Sequence, residues 1–143
     1  MFSIATLYSK GEEIASTYTA RKQGKEPINY LLPLMEPYLS ETYGITLYQE
    51  QIMQLAQAIA NFSPGESDRL RLLLYRGLTD EAAKMRSQFL AGGQEQGYDK
   101  IILEKVWSDW VRVTPFTINK SHIVGDTLLA YQMGYLNIHY PLE

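Results

Sequence analysis

Apolar residues recur at three- and four-residue steps through most of this chain, with Gly and Pro between the runs, and that spacing predicts an all-α fold. The clearest run is Tyr48 to Phe62, where Tyr48, Ile52, Leu55, Ala56, Ile59 and Phe62 share one helical face and are predicted as the centre of the core. Ser63-Pro64-Gly65-Glu66 then supplies a Ser cap, a Pro at the first helical position and a Glu three residues after the cap, opening a helix to about Arg76 that stops at Gly77. Thr79, followed by Asp80 and Glu81, starts another helix that carries Ala82, Met85 and Phe89 and is predicted to end before Gly92-Gly93. Asp99 caps a helix that buries Leu103, Val106, Trp107 and Trp110. Nearer the N-terminus, Glu12 to Gln23 forms a polar helix stopped by Gly24, with Pro27 beyond; Leu34 to Tyr43 is read as one helix with Pro37 in its first turn. After Pro115, Ser121 to His139 holds Leu128, Tyr131, Tyr135 and Leu136 at helical spacing. Gly125 and Gly134 each cost that helix about 1 kcal/mol relative to alanine, which packing is expected to offset. There is no internal repeat, and six to seven short helices are expected in a single domain spanning residues 1–143.

Composition narrows the chemistry. With no cysteine and only His122 and His139, thiolate zinc sites, disulfide scaffolds and cysteine nucleophiles are excluded. No apolar run reaches the roughly 18 to 20 residues of a membrane span, and the N-terminus lacks a signal peptide's pattern, so no membrane partner and a cytoplasmic setting are expected. The formal charge of -3 argues against a free-standing nucleic-acid binder. The 13 basic residues fall in loose groups at Lys10 to Lys25, Arg69 to Arg86 and Lys100 to Lys120, with acids between them, which implies weak, salt-sensitive contact with DNA or nucleotide.

Three clusters invite a chemical reading. On the helix ending at Arg76, Arg69 and Arg76 project about 20° apart and Arg71 roughly 160° away beside Tyr75, while Leu72 falls on the polar side. These arginines either grip phosphate oxygens through charge-assisted hydrogen bonds or form a solvated face paired with Glu66, Asp68 and Asp80. Asn119, Lys120, Ser121 and His122 lie at a helix start whose N–H groups and dipole favour an anion; alternatively Ser121 is an ordinary N-cap and Asn119 a turn residue. Tyr48, Gln49, Gln51 and Gln54 either contact sugar, base or backbone of a nucleic acid, or cap and cover their own helix. Ser121 and His122 are not a nucleophile and base, since adjacent helical residues diverge. Trp107 and Trp110, three apart, read as core. No Asp-x-Asp pair is present to hold two divalent ions, so no catalytic and no metal-ligating residue is assigned.

The ordered segments Arg21-Lys22-Gln23-Gly24-Lys25-Glu26-Pro27, Tyr43 to Met53, Asn119-Lys120-Ser121-His122 and Tyr131-Gln132 through His139-Tyr140-Pro141 resemble the fingers region of the alpha subunit of bacterial DNA polymerase III, a C-family replicative polymerase. The likeness runs over most of the chain. It implies a fingers domain that orients an incoming deoxynucleoside triphosphate beside primer-template DNA. The catalytic aspartates and their Mg2+ would belong to the palm of a larger parent, so the chain needs no cofactor of its own and has the palm and other polymerase domains as partners. By position the resemblance makes Arg71, Arg76, Asn119, Lys120 and His122 nucleotide-side residues, with Tyr48, Gln49 and Gln51 as further contacts to DNA or nucleotide. Met1 and Leu142-Glu143 would be additions at the ends of a piece of that parent.

The departures from the family's pattern also carry meaning. Where the family shows two arginines, Ala-Met-Gly and several lysines, this chain reads Arg71-Leu72-Leu73-Leu74-Tyr75-Arg76-Gly77-Leu78. Ser9-Lys10-Gly11-Glu12 replaces an Arg-Pro-Gly-Pro turn, and Pro115-Phe116-Thr117-Ile118 replaces a Gly/Ala, aromatic, Phe sequence. Such losses imply a diverged paralogue with weakened nucleotide binding, or a helical protein-interaction module that kept the fold after its site decayed.

Overall fold

The structure is a computed structural model that describes residues 12–77 and 79–141. Expectations resting on Met1, on the Ser9 to Gly11 turn, on Leu78 and on Leu142-Glu143 lie outside the described residues. Seven α-helices are present among the described residues: α1 (Glu12–Lys22), α2 (Glu36–Leu39), α3 (Gln49–Ala60), α4 (Pro64–Arg76), α5 (Thr79–Glu95), α6 (Lys100–Val113) and α7 (Lys120–His139). Tight 3-10 turns occupy Pro33–Met35, Ser40–Thr42 and Thr114–Phe116. No strand forms among the described residues, and the fold is all-α, as the periodicity predicted.

The core is built on α3, whose Ile52, Leu55, Ala56 and Ile59 are fully buried. α4 closes over them with Leu70, Leu73 and Leu74, and α5 with Met85, Phe89 and Leu90. Phe89 joins α5 to α6, its ring centroid 5.8 Å from Trp107 and 4.9 Å from Trp110. Both tryptophans are therefore core side chains.

Several boundaries follow from local chemistry. Ser63 and Glu66 form a capping box: the Glu66 N–H donates to Ser63 Oγ at 3.3 Å, and the Ser63 N–H donates to Glu66 Oε2 at 2.9 Å. Hydrogen bonds from the Ser63 hydroxyl, first, and then from its backbone N–H hold the Glu66 carboxyl below the ordinary carboxylate range. Asp99 caps α6 by accepting the Ile101 N–H at 2.7 Å.

Elsewhere the sequence expectation needs correction. The segment Leu34 to Tyr43 is not one helix, because Pro37 has no N–H to return to the Pro33 carbonyl. It divides into a 3-10 turn, the single turn of α2 and a second 3-10 turn, then reverses at Tyr43, whose φ is 54°. α5 does not stop before Gly92-Gly93. A Cβ at Gly92 would lie 2.4 Å from the Ala60 carbonyl oxygen, and one at Gly93 would lie 2.6 Å from Leu103 Cδ2. These glycines let α5 close onto the end of α3 and onto α6.

α1 packs Ala15 and Tyr18 against Tyr43, Ile45 and Leu47, forming a small cluster separate from the main core. α7 buries none of its residues, and Val124, Leu128, Tyr131, Met133, Tyr135 and Ile138 are half or more exposed. The packing expected to offset Gly125 and Gly134 is thus missing from the described residues. Its apolar residues lie all round the helix and give it no single face to lay on the core.

Candidate functional site

The starts of α3 and α7 are tied side by side although they lie far apart in sequence. The Ile118 N–H donates to the Leu47 carbonyl at 3.0 Å and the Gln49 N–H donates to the Ile118 carbonyl at 3.0 Å, a parallel bridge that joins the two polar segments. Gln51 anchors this joint from beneath. Its Oε1 accepts the N–H groups of Leu47 at 2.9 Å and Tyr48 at 3.0 Å, and its Nε2 donates to the Tyr38 carbonyl at 3.0 Å and Thr42 Oγ1 at 2.9 Å. With 2 % exposure and a full set of partners, Gln51 holds the loop and helix start together and has no donor left for a ligand.

Gln49 is the link to α4. Its Oε1 accepts from Arg71 Nη1 at 2.9 Å, while Arg71 Nε donates to Asp68 Oδ1 at 2.9 Å. The guanidinium is thereby held on two sides, with only 23 % of its side chain exposed. A rigid fork of this kind is suited to bidentate contact with an oxyanion. Asp68 already occupies part of it.

At α7 the helix-start N–H groups are largely spoken for, contrary to the expectation of an open anion site. The Lys120 N–H donates to both Glu50 carboxylate oxygens at 3.1 Å. Asn119, not Ser121, is the N-cap: its Oδ1 accepts the His122 N–H at 3.2 Å and also the Ser121 hydroxyl. The Lys120 ammonium bonds Glu41 at 2.6 and 2.8 Å and sits 5.4 Å from the centre of the Tyr48 ring.

The structure therefore brings Tyr48, Gln49, Arg71, Asn119 and Lys120 to one joint. His122 projects away along α7, its Nε2 3.5 Å from Asp126 and its side chain 73 % exposed. Arg76 is exposed on the last turn of α4, about 140° round the helix and about 7.5 Å along it from Arg71, with no bond to the joint among the described residues. Leu72 is half-buried. Sequence reasoning paired Asp68 with the arginines but missed Glu41 and Glu50. No sequence signal connects Glu41 to Lys120, 79 positions later.

Chemically, the joint sets two cations, Arg71 and Lys120, against three carboxylates, Asp68, Glu41 and Glu50. It can offer charge-assisted donors to a phosphate that displaces a carboxylate, and it holds no nucleophile and base pair. Among the described residues no group of three or more His, Asp or Glu is placed to hold a metal ion, and no helix is long and apolar enough to cross a membrane.

Comparison with known proteins identifies relatives of the chain as a whole. The family described as the bacterial DNA polymerase III alpha subunit finger domain matches residues 4–97. The chain is 38% identical to the DNA polymerase III subunit alpha of Aquifex aeolicus strain VF5, across 99% of its own length and 12% of that protein. It is 40% identical to the same subunit of Halalkalibacterium halodurans across 97% of its length, and 37% identical to that of Thermus aquaticus across all of it. The chain spans about 12% of the length of these relatives.

Proposed function

The chain belongs to the bacterial DNA polymerase III alpha subunit finger domain family, and from that premise we propose that it positions an incoming deoxynucleoside triphosphate and primer-template DNA during replication. Bond exchange is assigned to acids and Mg2+ in a palm carried by other segments of a larger, cytoplasmic polymerase. The observation that carries this reading is the hydrogen-bonded joint between Leu47–Gln49 and Ile118, which ties the Tyr48–Gln49–Arg71 group to Asn119 and Lys120. In this reading Arg71 and Lys120 each exchange an acid partner for phosphate oxygens, Asn119 fixes the turn that aims Lys120, and Tyr48 shields the ammonium from water. His122 and Arg76 stand at the margin and add long-range positive potential. Gln51 acts as scaffold.

A second reading, a helical protein-interaction module whose site has decayed, draws on two observations. α7 leaves an apolar surface uncovered, and Arg71 and Lys120 are already paired with acids. The first reading accommodates both: α7 is then the surface that packs against the palm and neighbouring polymerase domains.

The test is to incubate the chain with primed template, Mg2+ and labelled dATP. Weak, salt-sensitive retention of nucleotide with no primer extension is expected. Template-directed extension by the chain alone would refute the assignment of chemistry to other segments. Complete lack of nucleotide retention at low salt favours the interaction module.

A further inference from the structure

A cavity of about 370 Å³ lies between α1 and the C-terminal half of α6, where the small α1 cluster meets the main core. Its size is that of a small-molecule site. It is apart from the Arg71–Lys120 joint, and it is lined by Arg21, the first residue of a motif that the proposed function leaves without a role.

Two of its lining residues carry a buried hydrogen-bond donor with no acceptor among the described residues: Arg21 at Nε and Trp110 at Nε1. Trp110 is 1 % exposed, so its indole N–H is sealed from bulk water, and leaving such a group unpaired costs about 1–3 kcal/mol. Arg21 is held in place by its Nη1, which donates to the Tyr43 carbonyl at 3.1 Å and leaves Nε uncommitted. Natural folds pair nearly all such donors. Both orphans belong to residues that line one cavity, just behind its water-accessible surface, and they point to an acceptor that comes from outside the chain.

The remaining lining selects the ligand. Ile14, Met35, Ile45, Val106 and Val113 provide an apolar surface for a hydrocarbon body. Glu13, Glu26 and Asp109 also line the cavity, and Asp109 is paired with the exposed Arg112 at 3.4 Å, so Arg21 is the one lining cation with a buried, unpaired donor among the described residues. That charge balance opposes a phosphate or other polyanion and suits an acceptor of low charge. We propose that this cavity binds a small apolar molecule bearing a single carboxylate or amide carbonyl, whose head group parts the side chains over the two donors and accepts from the Trp110 indole and the Arg21 Nε–H.

The two tryptophans of the chain make this directly measurable. In a nitrogen-15 spectrum each gives one indole signal, and Trp107, which does not line the cavity, serves as the internal reference. The probes are 4-phenylbutyrate, 4-phenylbutyramide and 4-phenylbutylamine, which share a body and differ in the head group. The acid and the amide should move the Trp110 indole and Arg21 Nε–H signals saturably while Trp107 stays still, and the amine should move neither. A larger effect from the acid assigns the site to carboxylates, and one from the amide to neutral carbonyls. Arg21→Gln should weaken binding about tenfold, and Trp110→Phe, which removes the N–H and keeps an aromatic ring while losing some packing volume, should do the same. The proposal is overturned if neither signal moves by ~10 mM probe, if the amine acts as the acid does, if both indoles move together, or if both variants bind with unchanged affinity.

Discussion

Replacing Gln51 by leucine tests how the joint is held. The substitution nearly preserves volume and apolar contact, yet removes an amide making four hydrogen bonds to Leu47, Tyr48, Tyr38 and Thr42 at 2.9 to 3.0 Å. At a net ~1 kcal/mol for each bond, the loss comes to about 4 kcal/mol. Leu47, Tyr48 and Tyr38 are only half-buried and regain some water, whereas Thr42 is 2 % exposed and does not, which lowers the expected loss to about 3 kcal/mol. The assay is equilibrium urea unfolding followed by tryptophan fluorescence, with Gln54→Leu as control. Gln54 is exposed on the same helix, and its replacement should change stability by less than about 0.5 kcal/mol. A Gln51→Leu loss under about 1 kcal/mol, or one no larger than that of the control, would refute the view that Gln51 fixes the start of α3.

Other expectations follow from particular contacts. Gly92→Ala should destabilise by about 2 kcal/mol, since its Cβ would meet Ala60 backbone at 2.4 Å, whereas Gly134→Ala, with nothing within 4 Å, should stabilise by about 0.5–1 kcal/mol; thermal melts of both variants check this. The Glu66 carboxyl titrates below the ordinary range in the folded chain because of Ser63, so its contribution to stability is present above its unfolded pKa and is lost as pH falls through the lower folded value. Ser63→Ala should return that titration toward the ordinary range by carbon-13 NMR and cost about 1 kcal/mol of cap stability. Asp68→Asn and Glu41→Gln each release a cation, Arg71 or Lys120, and should tighten dATP binding several-fold in a low-salt titration; unchanged or weaker binding in both would count against a phosphate-gripping role.

Much of the fold was legible because its signals are local. Ser63, Pro64, Glu66 and Gly77 mark the ends of α4 within the helix itself, and the three- and four-residue spacing of Ile52, Leu55, Ala56 and Ile59 reports the core face directly. Gly92 and Gly93 read as a stop because glycine commonly ends helices; their actual role depends on Ala60 and Leu103, which no local pattern reveals. α7 looked like a packed helix from its apolar content, yet residues such as Val124, Leu129 and Ile138 lie on several sides, and a helix of that type finds its partners outside a small core. At the joint, the i,i+3 spacing made Asp68 visible as a partner for Arg71. The Glu41–Lys120 pair and the Glu50 carboxylate at the start of α7 arise only when the chain folds, so an apparently open anion site proved to be occupied by the chain's own acids.

The most direct test of the central claim is a dATP titration of the nitrogen-15-labelled chain at low salt. If the joint grips a triphosphate, the Arg71 Nε–H and the Asn119 and Lys120 amides should shift together along one saturable curve, with smaller changes at His122 and Arg76. No shifts at ~10 mM dATP, or shifts that leave Arg71 and Lys120 untouched, would contradict the account.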